Sequence, residues 1–329
     1  MRILVTGGAG FIGSNFARRA LTGAYPELDV TGLVVLDKLT YAGTLASLAP
    51  VADDPRLTFV RGDVCDAALL DKLLRDVALV VHCAAETHVD RSIESSADFV
   101  MTNVVGTQTV LESALRAGVE KVVHVSTDEV YGSMESGSWT EDHRLDPNSP
   151  YSASKAASDL LALAFARTHG LPVSVTRCSN NYGPYQFPEK IIPLFLTHLM
   201  EGRTVPLYGD GRHVREWIHV DDHCLGIALV ATKGQAGHVY NIGGATELTN
   251  LELTRALLDI CRADWSSVRF VTDRKGHDRR YSLDSSKITK ELGFRPRVTF
   301  GEGLARVARW YEENRAWWEP LKEERLDPV

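Results

Sequence analysis

Two groups of side chains in this sequence have the types and the spacing needed for proton-transfer chemistry. Tyr151 and Lys155 stand four residues apart in a segment with helical spacing, so they share one helix face. Thr127, Asp128 and Glu129 close an apolar run. A phenol beside a cation suits proton removal from an alcohol, and a neighbouring carboxyl pair can supply one acid and one base. Together the two groups predict hydride chemistry and elimination of water in one active site.

A cap is predicted for the helix that carries Tyr151. Ser149 followed by Pro150 is typical of an N-cap residue and a first helical position. The Tyr151 phenol would then lie near the positive helix end and beside Lys155, and both favour its ionised form. The sequence therefore predicts that the pKa of Tyr151 falls below its usual value of about 10. Thr127 is placed to donate a hydrogen bond to the same oxygen, and an amphipathic surface pair is the alternative interpretation.

The two neighbouring carboxyl groups also have two interpretations. Acids at a strand end are often solvated, or they cap the next segment. In a buried crevice, however, like charge and desolvation keep one carboxyl protonated while the other ionises. An elimination requires one acid and one base, so Asp128 and Glu129 are predicted to form such a pair.

A glycine-rich turn at the start of the chain predicts where a dinucleotide binds. Residues 2–6 are predicted to be a buried strand, Gly7 to Gly13 opens a helix that continues to Leu21, and Asp37 ends the next strand. Glycines permit a tight turn and close approach of a pyrophosphate, which binds the free N–H groups of the helix. An acid about 20 residues further on accepts hydrogen bonds from the adenosine ribose and disfavours NADP. This context favours NAD binding over the alternative, an ordinary glycine turn.

Short apolar strands alternate with segments of helical spacing in the first half of the chain. The strands are predicted at residues 2–6, 33–36, 57–60, 79–84, 122–125 and 173–175, and the helices at 67–74, 97–117 and 152–167. This alternation predicts an α/β fold with a Rossmann-type doubly wound parallel sheet, in which ligands bind beyond the carboxyl ends of the strands. The polar residues at those ends are Asp37, Asp63, Glu86, Thr127 and Asn180.

The alternation of apolar strands and helices ends after residue 178, and the composition of the sequence changes. A loop rich in glycine, proline and polar residues, 180–186, is followed by helices predicted at 190–201, 250–261 and 304–317. We expect residues 1–178 to form the NAD-binding domain, with segments near 214–246 returning to it. Residues 179–329 are expected to form mainly a smaller C-terminal substrate-binding lobe, with the binding cleft between the two parts.

Composition excludes several classes of function. The 329 residues carry a net charge of −7, which argues against a nucleic-acid or anionic-membrane surface. The five cysteines are dispersed without a CxxC pair, so neither disulfides nor a metal site is predicted. A core strand at residue 2 leaves no room for a signal peptide, and no apolar run approaches about 18 residues. The expected protein is a cytoplasmic enzyme with no nucleic-acid or membrane partner.

Longer motifs extend these patterns over nearly the whole chain. They are TGGAGFIG at residues 6–13, DKLTYAG at 37–43, AAETHVDRS at 84–92, STDEVYG at 126–132, YSASK at 151–155, NNYGPYQ at 180–186 and REW at 215–217. Through them the sequence resembles the extended short-chain dehydrogenase/reductase family. The Thr-Asp-Glu run makes it similar to the dTDP-glucose 4,6-dehydratases within that family. Thr87 stands where the family usually has serine, and it retains the hydroxyl group.

The resemblance implies a redox-neutral conversion of dTDP-glucose to dTDP-4-keto-6-deoxyglucose by an enzyme that keeps NAD bound. It implies that Tyr151, assisted by Lys155 and Thr127, removes the proton of the 4-hydroxyl while C4 is oxidised. It further implies that Glu129 removes the C5 proton, that Asp128 protonates the departing C6 hydroxyl, and that the hydride returns to C6.

The resemblance also implies two sets of binding residues and a dimer. The cofactor set is Gly7, Gly10, Phe11, Ile12, Gly13, Asp37, Lys38, Leu39, Thr40, Asp63, Val64, Cys83, Ala84, Ala85, Glu86, Thr87, Thr102, Tyr151, Lys155 and Asn181. The substrate set is Thr87, Thr127, Asn180, Lys190, Ile191, Pro206, Leu207, Tyr208, Arg215, Asn250, Asp273, Arg274 and His277. The helices at 97–117 and 152–167 would pair across a homodimer interface, as in the family.

Three other functions stay open from the residues. A nucleotide-sugar 4-epimerase would use NAD, Tyr151 and Lys155 without any need for Asp128 and Glu129. A GDP-mannose-type dehydratase would prefer NADP, which Asp37 disfavours. A non-catalytic NAD-binding regulatory protein would need none of these acid and base groups.

Overall fold

Runs of valine, isoleucine and leucine build the strands of this chain, because branched apolar side chains pack well on a pleated, buried surface. The structure is a computed structural model that describes residues 1–323. Its strands are β1 Arg2–Thr6, β2 Gly32–Asp37, β3 Leu57–Arg61, β4 Leu79–His82, β5 Lys121–Thr127, β6 Val173–Cys178, β7 Asn180–Tyr182, β8 Val205–Tyr208, β9 Val214–His219, β10 Val239–Ile242, β11 Thr246–Thr249 and β12 Val268–Val271. Its helices are α1 Phe11–Leu21, α2 Ala67–Leu73, α3 Val89–Glu94, α4 Ala97–Phe99, α5 Gly106–Ala117, α6 Pro150–His169, α7 Ile191–Met200, α8 Val220–Lys233, α9 Asn250–Cys261, α10 Ser286–Leu292, α11 Phe300–Glu313 and α12 Arg315–Glu323. A π-helical segment, Val100–Val105, joins α4 to α5, and 3₁₀ turns lie at Pro26–Leu28, Leu45–Val51, Asp128–Tyr131 and Trp265–Ser267.

Seven strands form one parallel sheet in the order β10-β6-β5-β4-β1-β2-β3. Strand β1 lies in the interior, where Ile3 is in register with Leu33 of β2 on one side and Leu79 of β4 on the other. From β1 the chain first adds strands on one side, β2 and β3, and then on the other side, starting with β4. At this change of direction a crevice for a ligand lies beyond the carboxyl ends of β1 and β4. The predicted α/β fold with a doubly wound parallel sheet is confirmed.

Helices cover both faces of this sheet. Helices α1 and α8 pack on one face, and α2, α5 and α6 pack on the other. Ile3 and Val5 of β1 belong to the first apolar cluster and Leu4 to the second, because successive side chains of a strand point to opposite faces. Burial on both faces explains the continuous apolar runs from which the strands were predicted.

The second lobe combines two small sheets with helices. One sheet has the order β11-β9-β7 and the other pairs β12 with β8. Helices α7, α9 and α11 enclose an apolar core that contains Phe195, Leu257 and Trp318. Between these elements in the chain, α8 and β10 return to the large sheet, where β10 pairs with β6.

The helix predicted at residues 304–317 is wrong in its extent. The chain forms two helices there, α11 and α12, which are separated by Asn314. Asn314 has a non-helical backbone, with φ −117° and ψ 41°, and its Nδ2 donates to the Trp310 carbonyl at 2.8 Å. The break turns the chain back so that Trp318 is fully buried and its Nε1 donates to the Tyr311 carbonyl at 2.7 Å.

Neither a membrane-spanning helix nor a disulfide bond occurs among residues 1–323. No helix in this range is long and apolar enough to cross a bilayer, and all five cysteines are free. The longest helix, α6, has 20 residues and carries buried polar side chains such as Lys155 and Asp159.

Candidate active site

A cavity of about 660 Å³ lies beyond the carboxyl ends of the parallel strands. Its walls come from the ends of β1, β2, β4, β5 and β6 on one side and from α7, β8 and β9 of the second lobe on the other. Parallel strands bring their ends to one edge, so residues far apart in the sequence meet here.

The glycine turn between β1 and α1 forms one end of the cavity. Gly7 has a φ of +65°, and a side chain there would put Cβ 2.7 Å from the Ala84 backbone. A side chain on Gly13 would collide with the Gly7 carbonyl oxygen. Gly10 is the N-cap of α1 and provides no capping side chain, so the first N–H groups of the helix face the turn. This bare backbone fits a dinucleotide pyrophosphate.

Asp37 lies at the next strand end, with 9% of its surface exposed. Its carboxylate accepts hydrogen bonds from the Ala9 N–H at 2.9 Å and from the Leu39 N–H at 2.8 Å. Burial raises the pKa of Asp37, and these backbone hydrogen bonds oppose that rise. The side chain is therefore fixed at the cavity wall, where a ribose hydroxyl can reach it.

The helix with Tyr151 and Lys155 begins as the sequence predicts. Ser149 is the N-cap of α6 and Pro150 its first residue, and Ser149 and Ser152 form a reciprocal capping box. Tyr151 and Lys155 are buried on the wall of the cavity. The Lys155 Nζ donates to the Val125 carbonyl at 2.8 Å, which anchors α6 to β5.

The predicted lowering of the Tyr151 pKa is wrong for this structure. Burial raises the pKa of Tyr151 well above its usual value, and the nearby charges of Glu129 and Asp128 raise it further, while a hydrogen bond with Thr127 acts in the opposite direction. The sequence showed the helix end and Lys155, but it could not show how strongly burial opposes a phenolate.

Asp128 and Glu129 have different electrostatic surroundings. Burial, then the charges of Glu129 and Glu216, raise the pKa of Asp128 well above its usual value. Burial also raises the pKa of Glu129, but the positive charges of Arg274, Lys190 and Arg215 oppose that rise. Of the two carboxyl groups, Asp128 thus has the more strongly raised pKa.

The side chain of Asp128 has few fixed partners. The Thr127 hydroxyl donates to Asp128 Oδ1 at 3.3 Å, and within the described residues the buried Oδ2 has no hydrogen-bond partner. A carboxyl group with a free buried oxygen is available to a ligand in the cavity.

Every residue of the predicted cofactor set except Leu39 lines the cavity. Leu39 has a φ of +57°, and its contribution is the backbone N–H that binds Asp37. Every residue of the predicted substrate set except Asp273 lines it as well. Asp273 instead accepts from His277 Nδ1 at 2.6 Å and lies 3.3 Å from His213 Nε2.

Several wall residues were missed by the sequence analysis. Trp217 and Tyr281 lie beside the substrate set, and Gln186, Phe187 and Glu189 lie on the loop before α7. The Arg215 guanidinium stacks on the Tyr281 ring, 4.3 Å from its centroid. The REW and NNYGPYQ motifs contain or adjoin Trp217, Gln186 and Phe187, but nothing in the sequence indicates Tyr281.

His213, Asp273 and His277 form a group whose donor atoms all lie within 4.8 Å of one another. The imidazole rings of His213 and His277 stack with centroids 3.7 Å apart. Burial, followed by the charges of Arg274 and Arg215, lowers the pKa of His277 to about 3. Positive neighbours of this kind disfavour a metal cation and favour an anionic ligand such as a diphosphate.

Comparison with known proteins places the chain in a family. The model of the GDP-mannose 4,6 dehydratase family matches residues 4–307. The chain is 62% identical to a dTDP-glucose 4,6-dehydratase of Streptomyces antibioticus, with 100% of this chain and 98% of the relative covered. It is 60% identical to the dTDP-glucose 4,6-dehydratase of Streptomyces niveus, with 98% and 96% covered. This chain belongs to the dTDP-glucose 4,6-dehydratase family.

Solved structures of the dTDP-glucose 4,6-dehydratase family have the same fold. DesIV of Streptomyces venezuelae, a dTDP-glucose 4,6-dehydratase with NAD and TYD bound, is 66% identical and superposes with a TM-score of 0.97. That comparison covers 98% of this chain and 100% of DesIV. The UDP-glucose 4-epimerase of Thermotoga maritima is more distant, with 31% identity and a TM-score of 0.87 over 96% of this chain and 100% of the epimerase.

Proposed function

We propose that this chain converts dTDP-glucose to dTDP-4-keto-6-deoxyglucose and water, as a hydro-lyase with bound NAD. The observation that carries the proposal is that Asp128 and Glu129 line the same cavity as Tyr151 and Lys155. A 4-epimerase needs an alcohol base but no carboxyl pair. Relatives named dTDP-glucose 4,6-dehydratase at 60–62% identity support the proposal, as does the DesIV structure with NAD and TYD.

NAD fits the glycine turn and the strand ends beside it. Gly7 and Gly13 leave the space that a pyrophosphate needs, and Asp37 would hold the adenosine ribose. When bound, NAD supplies the hydride acceptor for C4 and the hydride donor for C6. The chain's own side chains then have to hold the sugar and move protons.

Tyr151 takes the proton of the sugar 4-hydroxyl as C4 becomes a ketone. The cation of Lys155, one helical turn further along α6, stabilises the phenolate, and the Thr127 hydroxyl donates to the sugar O4. Because burial raises the pKa of Tyr151, this step needs a positive charge to stabilise the phenolate, and Lys155 would supply it.

Glu129 and Asp128 carry out the elimination. The 4-ketone makes the C5 proton acidic, and Glu129 removes it. Asp128, which keeps its proton because of burial and the neighbouring acids, protonates the C6 hydroxyl, which leaves as water. A hydride returned to C6 and the proton returned to C5 by Glu129 complete the product, so no net oxidation occurs.

The nucleotide end of the substrate would lie against the second lobe. Arg215 and Arg274 line the cavity and can form forked hydrogen bonds with the diphosphate. The Lys190 Nζ donates to the Thr87 carbonyl at 3.0 Å, so it joins the two walls close to the bound sugar. Tyr208 lines the same side and provides an aromatic surface for the base or sugar.

Incubation with dTDP-glucose carrying deuterium at C4 tests the proposal. We expect a product that has lost one water and carries the deuterium in its C6 methyl group, as measured by mass spectrometry and NMR. A galactose epimer, an unchanged substrate or a methyl group without deuterium would contradict it. dTDP-glucose should also be preferred over the uridine and guanosine sugars when all are titrated.

We also propose a homodimer. Val100 and Met101 in the π-helical segment and Leu160 in α6 are 47%, 51% and 59% exposed, although they are apolar. They lie on the two helical stretches for which the family resemblance implies pairing across an interface. Apolar side chains exposed on adjacent helices favour an isologous contact between two copies.

A division of the chain and a cellular location complete the proposal. We assign residues 1–178 to the NAD-binding domain, and residues 179–329, of which the structure describes those up to 323, mainly to the sugar-nucleotide lobe. Of the segments near 214–246, α8 and β10 belong to the NAD-binding domain, whereas β9 pairs with β7 and β11 in the smaller lobe. The return of α8 and β10 to the large sheet supports this division. Five free cysteines favour a reducing compartment, so we propose a cytoplasmic enzyme, to be tested by cell fractionation.

A further inference from the structure

We propose that Tyr131 is a positioning residue that holds Asp128 and Glu129 in place relative to Tyr151. It does so through a chain of buried hydrogen bonds that leads from Tyr131 to α6, the helix that carries Tyr151. The proposal rests on the proposed function, because it concerns the elimination step alone.

The chain of contacts begins on the turn of the carboxyl pair itself. Tyr131 belongs to the same 3₁₀ turn, Asp128–Tyr131, and is 1% exposed. Its hydroxyl donates to Asn241 Oδ1 at 2.9 Å and accepts from Arg177 Nη1 at 2.7 Å. Both hydrogen-bonding capacities of the phenol are therefore used inside the protein.

Arg177 links Tyr131 to helix α6. Its Nε donates to Asp159 Oδ2 at 2.8 Å, and both side chains are buried. Asp159 stands four residues after Lys155 and eight after Tyr151, so the three share one face of the helix. Although burial raises the pKa of Asp159, the charge of Arg177 and further hydrogen bonds lower it to about 2. The Arg177–Asp159 contact is thus an ion pair across the physiological pH range.

Besides Tyr131, the far end of the turn is held by Val130, which is buried and whose carbonyl accepts from the Asp146 N–H at 3.1 Å, while the end with Asp128 and Glu129 has weaker contacts. The Thr127 hydroxyl reaches Asp128 Oδ1 and the Glu129 N–H only at 3.3 Å, near the upper limit for a hydrogen bond. The base helix, by contrast, has its own capping box and the anchor from Lys155 to Val125. Loss of the Tyr131 hydroxyl should therefore displace the carboxyl pair and leave Tyr151 in place.

Removal of this hydroxyl leaves the rest of the packing intact. The Tyr131 ring stacks on Trp139, with centroids 5.6 Å apart and planes 15° apart, and the Arg177 guanidinium lies 4.7 Å from the ring centroid. Phenylalanine preserves the ring in both contacts. The Arg177–Asp159 ion pair does not involve the hydroxyl, so it is preserved as well.

The test is a single-turnover experiment on Tyr131→Phe with dTDP-glucose and the NAD-loaded enzyme. We expect C4 oxidation to stay within about twofold of wild type and elimination to slow by about 10- to 100-fold, as for other small displacements of reacting groups. The absorbance of reduced nicotinamide should then persist before product forms. Arg177→Lys, which keeps the cation but loses the planar fork, should slow the same step.

Tyr240→Phe is the matched control. Tyr240 is also fully buried in the large sheet, but its hydroxyl accepts from the Gln235 N–H at 3.0 Å, away from the cavity lining. It should leave both steps at wild-type rates. Melting temperature and NAD affinity are measured for every variant, and both should be similar in the two phenylalanine variants.

Two results would overturn the positioning role. One is elimination at the wild-type rate in Tyr131→Phe. The other is an equal slowing of oxidation and elimination, which indicates a general loss of structure. If wild type itself fails to dehydrate dTDP-glucose, the proposed function fails instead, so the two ideas are separable.

Discussion

Asp128 and Glu129 are adjacent in the sequence, yet their surroundings affect their pKa values differently. Burial raises the pKa of both groups. The acids Glu129 and Glu216 raise that of Asp128 further against one cation, Arg215, whereas three cations, Arg274, Lys190 and Arg215, oppose the rise for Glu129. A carboxyl among acids keeps its proton, and one among cations gives it up more readily. Environment, more than residue type, therefore distinguishes the two carboxyl groups.

Replacement of either carboxyl group should stop the proposed reaction after C4 oxidation and before the elimination of water. Asp128→Asn cannot protonate the leaving hydroxyl and Glu129→Gln cannot remove the C5 proton. We expect each to lower water loss by at least about 100-fold while some C4 oxidation continues. Rapid mixing with dTDP-glucose, with the 4-keto-glucose intermediate trapped by chemical reduction, measures the two steps separately. Water loss at the wild-type rate in either variant would show that the roles are wrongly assigned.

The raised pKa of Asp128 predicts a pH-dependent difference in stability. A group whose folded pKa lies above its unfolded value contributes stability at low pH, and that contribution is lost as pH rises through the folded pKa. Wild type therefore begins to lose the stability contributed by Asp128 near pH 3.8, the usual pKa of the group, and loses more as the pH rises towards the folded pKa. The amide in Asp128→Asn does not titrate, so the variant has no such loss. The free energy of unfolding of Asp128→Asn, relative to that of wild type, should therefore increase by up to about 1.4 kcal/mol per pH unit in this window. Urea unfolding from about pH 5 to about pH 8 measures the difference. A difference that shrinks as pH rises would contradict the assigned shift.

Sequence predicted which residues meet at this site better than it predicted their electrostatics. The strand ends and the helical spacing placed Asp37, Glu129 and Tyr151 on one cavity wall, as the structure has them. The predicted direction of the Tyr151 pKa shift was wrong because burial and the charges of Glu129 and Asp128 depend on other elements of the fold. Asp273 was expected to touch the substrate, but the structure uses its carboxylate to hold His277 and His213.

Helix α6 shows how a local signal positions a functional side chain. Ser149 accepts from the Ser152 N–H, and Ser152 Oγ accepts in return from the Ser149 N–H, so the first turn is fixed just where Tyr151 lies. Cap, proline and helical spacing are all short-range patterns, and this helix start was predicted correctly.

Removal of the α6 cap should affect both stability and activity. Ser149→Ala is expected to lower the free energy of unfolding by about 1 kcal/mol and to reduce kcat, because the turn that carries Tyr151 frays. Thr249→Ala removes the equivalent capping box on α9. We expect the same loss of stability there. Because the first residue of α9, Asn250, lines the substrate side of the cavity, KM should rise while kcat changes little, as measured by denaturant unfolding and steady-state kinetics. Equal effects of both variants on kcat would contradict a link between the cap and catalysis.

Elements with weaker signals were not predicted. Strands β7, β8, β10, β11 and β12 have only three or four residues, too few for a period-two pattern to stand out. The break at Asn314 was missed because apolar spacing continues through it, and only tertiary packing of Trp318 reveals the turn. Short strands and helix breaks depend on contacts between distant parts of the chain, so local periodicity does not fix them.

The order of the whole fold explains why the cavity has two chemically different walls. The parallel sheet supplies the glycine turn after β1 and the carboxyl pair after β5, and helix α6 on its face supplies the Tyr151 phenol. The second lobe supplies cationic residues, Arg215 on β9 and Arg274 after β12. A redox cofactor and an anionic nucleotide sugar can therefore bind face to face with the reacting carbons between them.

A second copy of the chain is expected to cover the exposed apolar residues of the helical stretch around Met101 and of α6. Met101→Glu combined with Leu160→Glu places two charges in that contact, and desolvation of unpaired charges is strongly unfavourable. We expect wild type to have twice the mass of one chain by light scattering and the double variant to have the mass of one chain. Phe270→Glu is the control, because Phe270 is 56% exposed on β12 of the other lobe and should leave the dimer intact. A monomeric wild type, or a dimer that survives both glutamates, would contradict this interface.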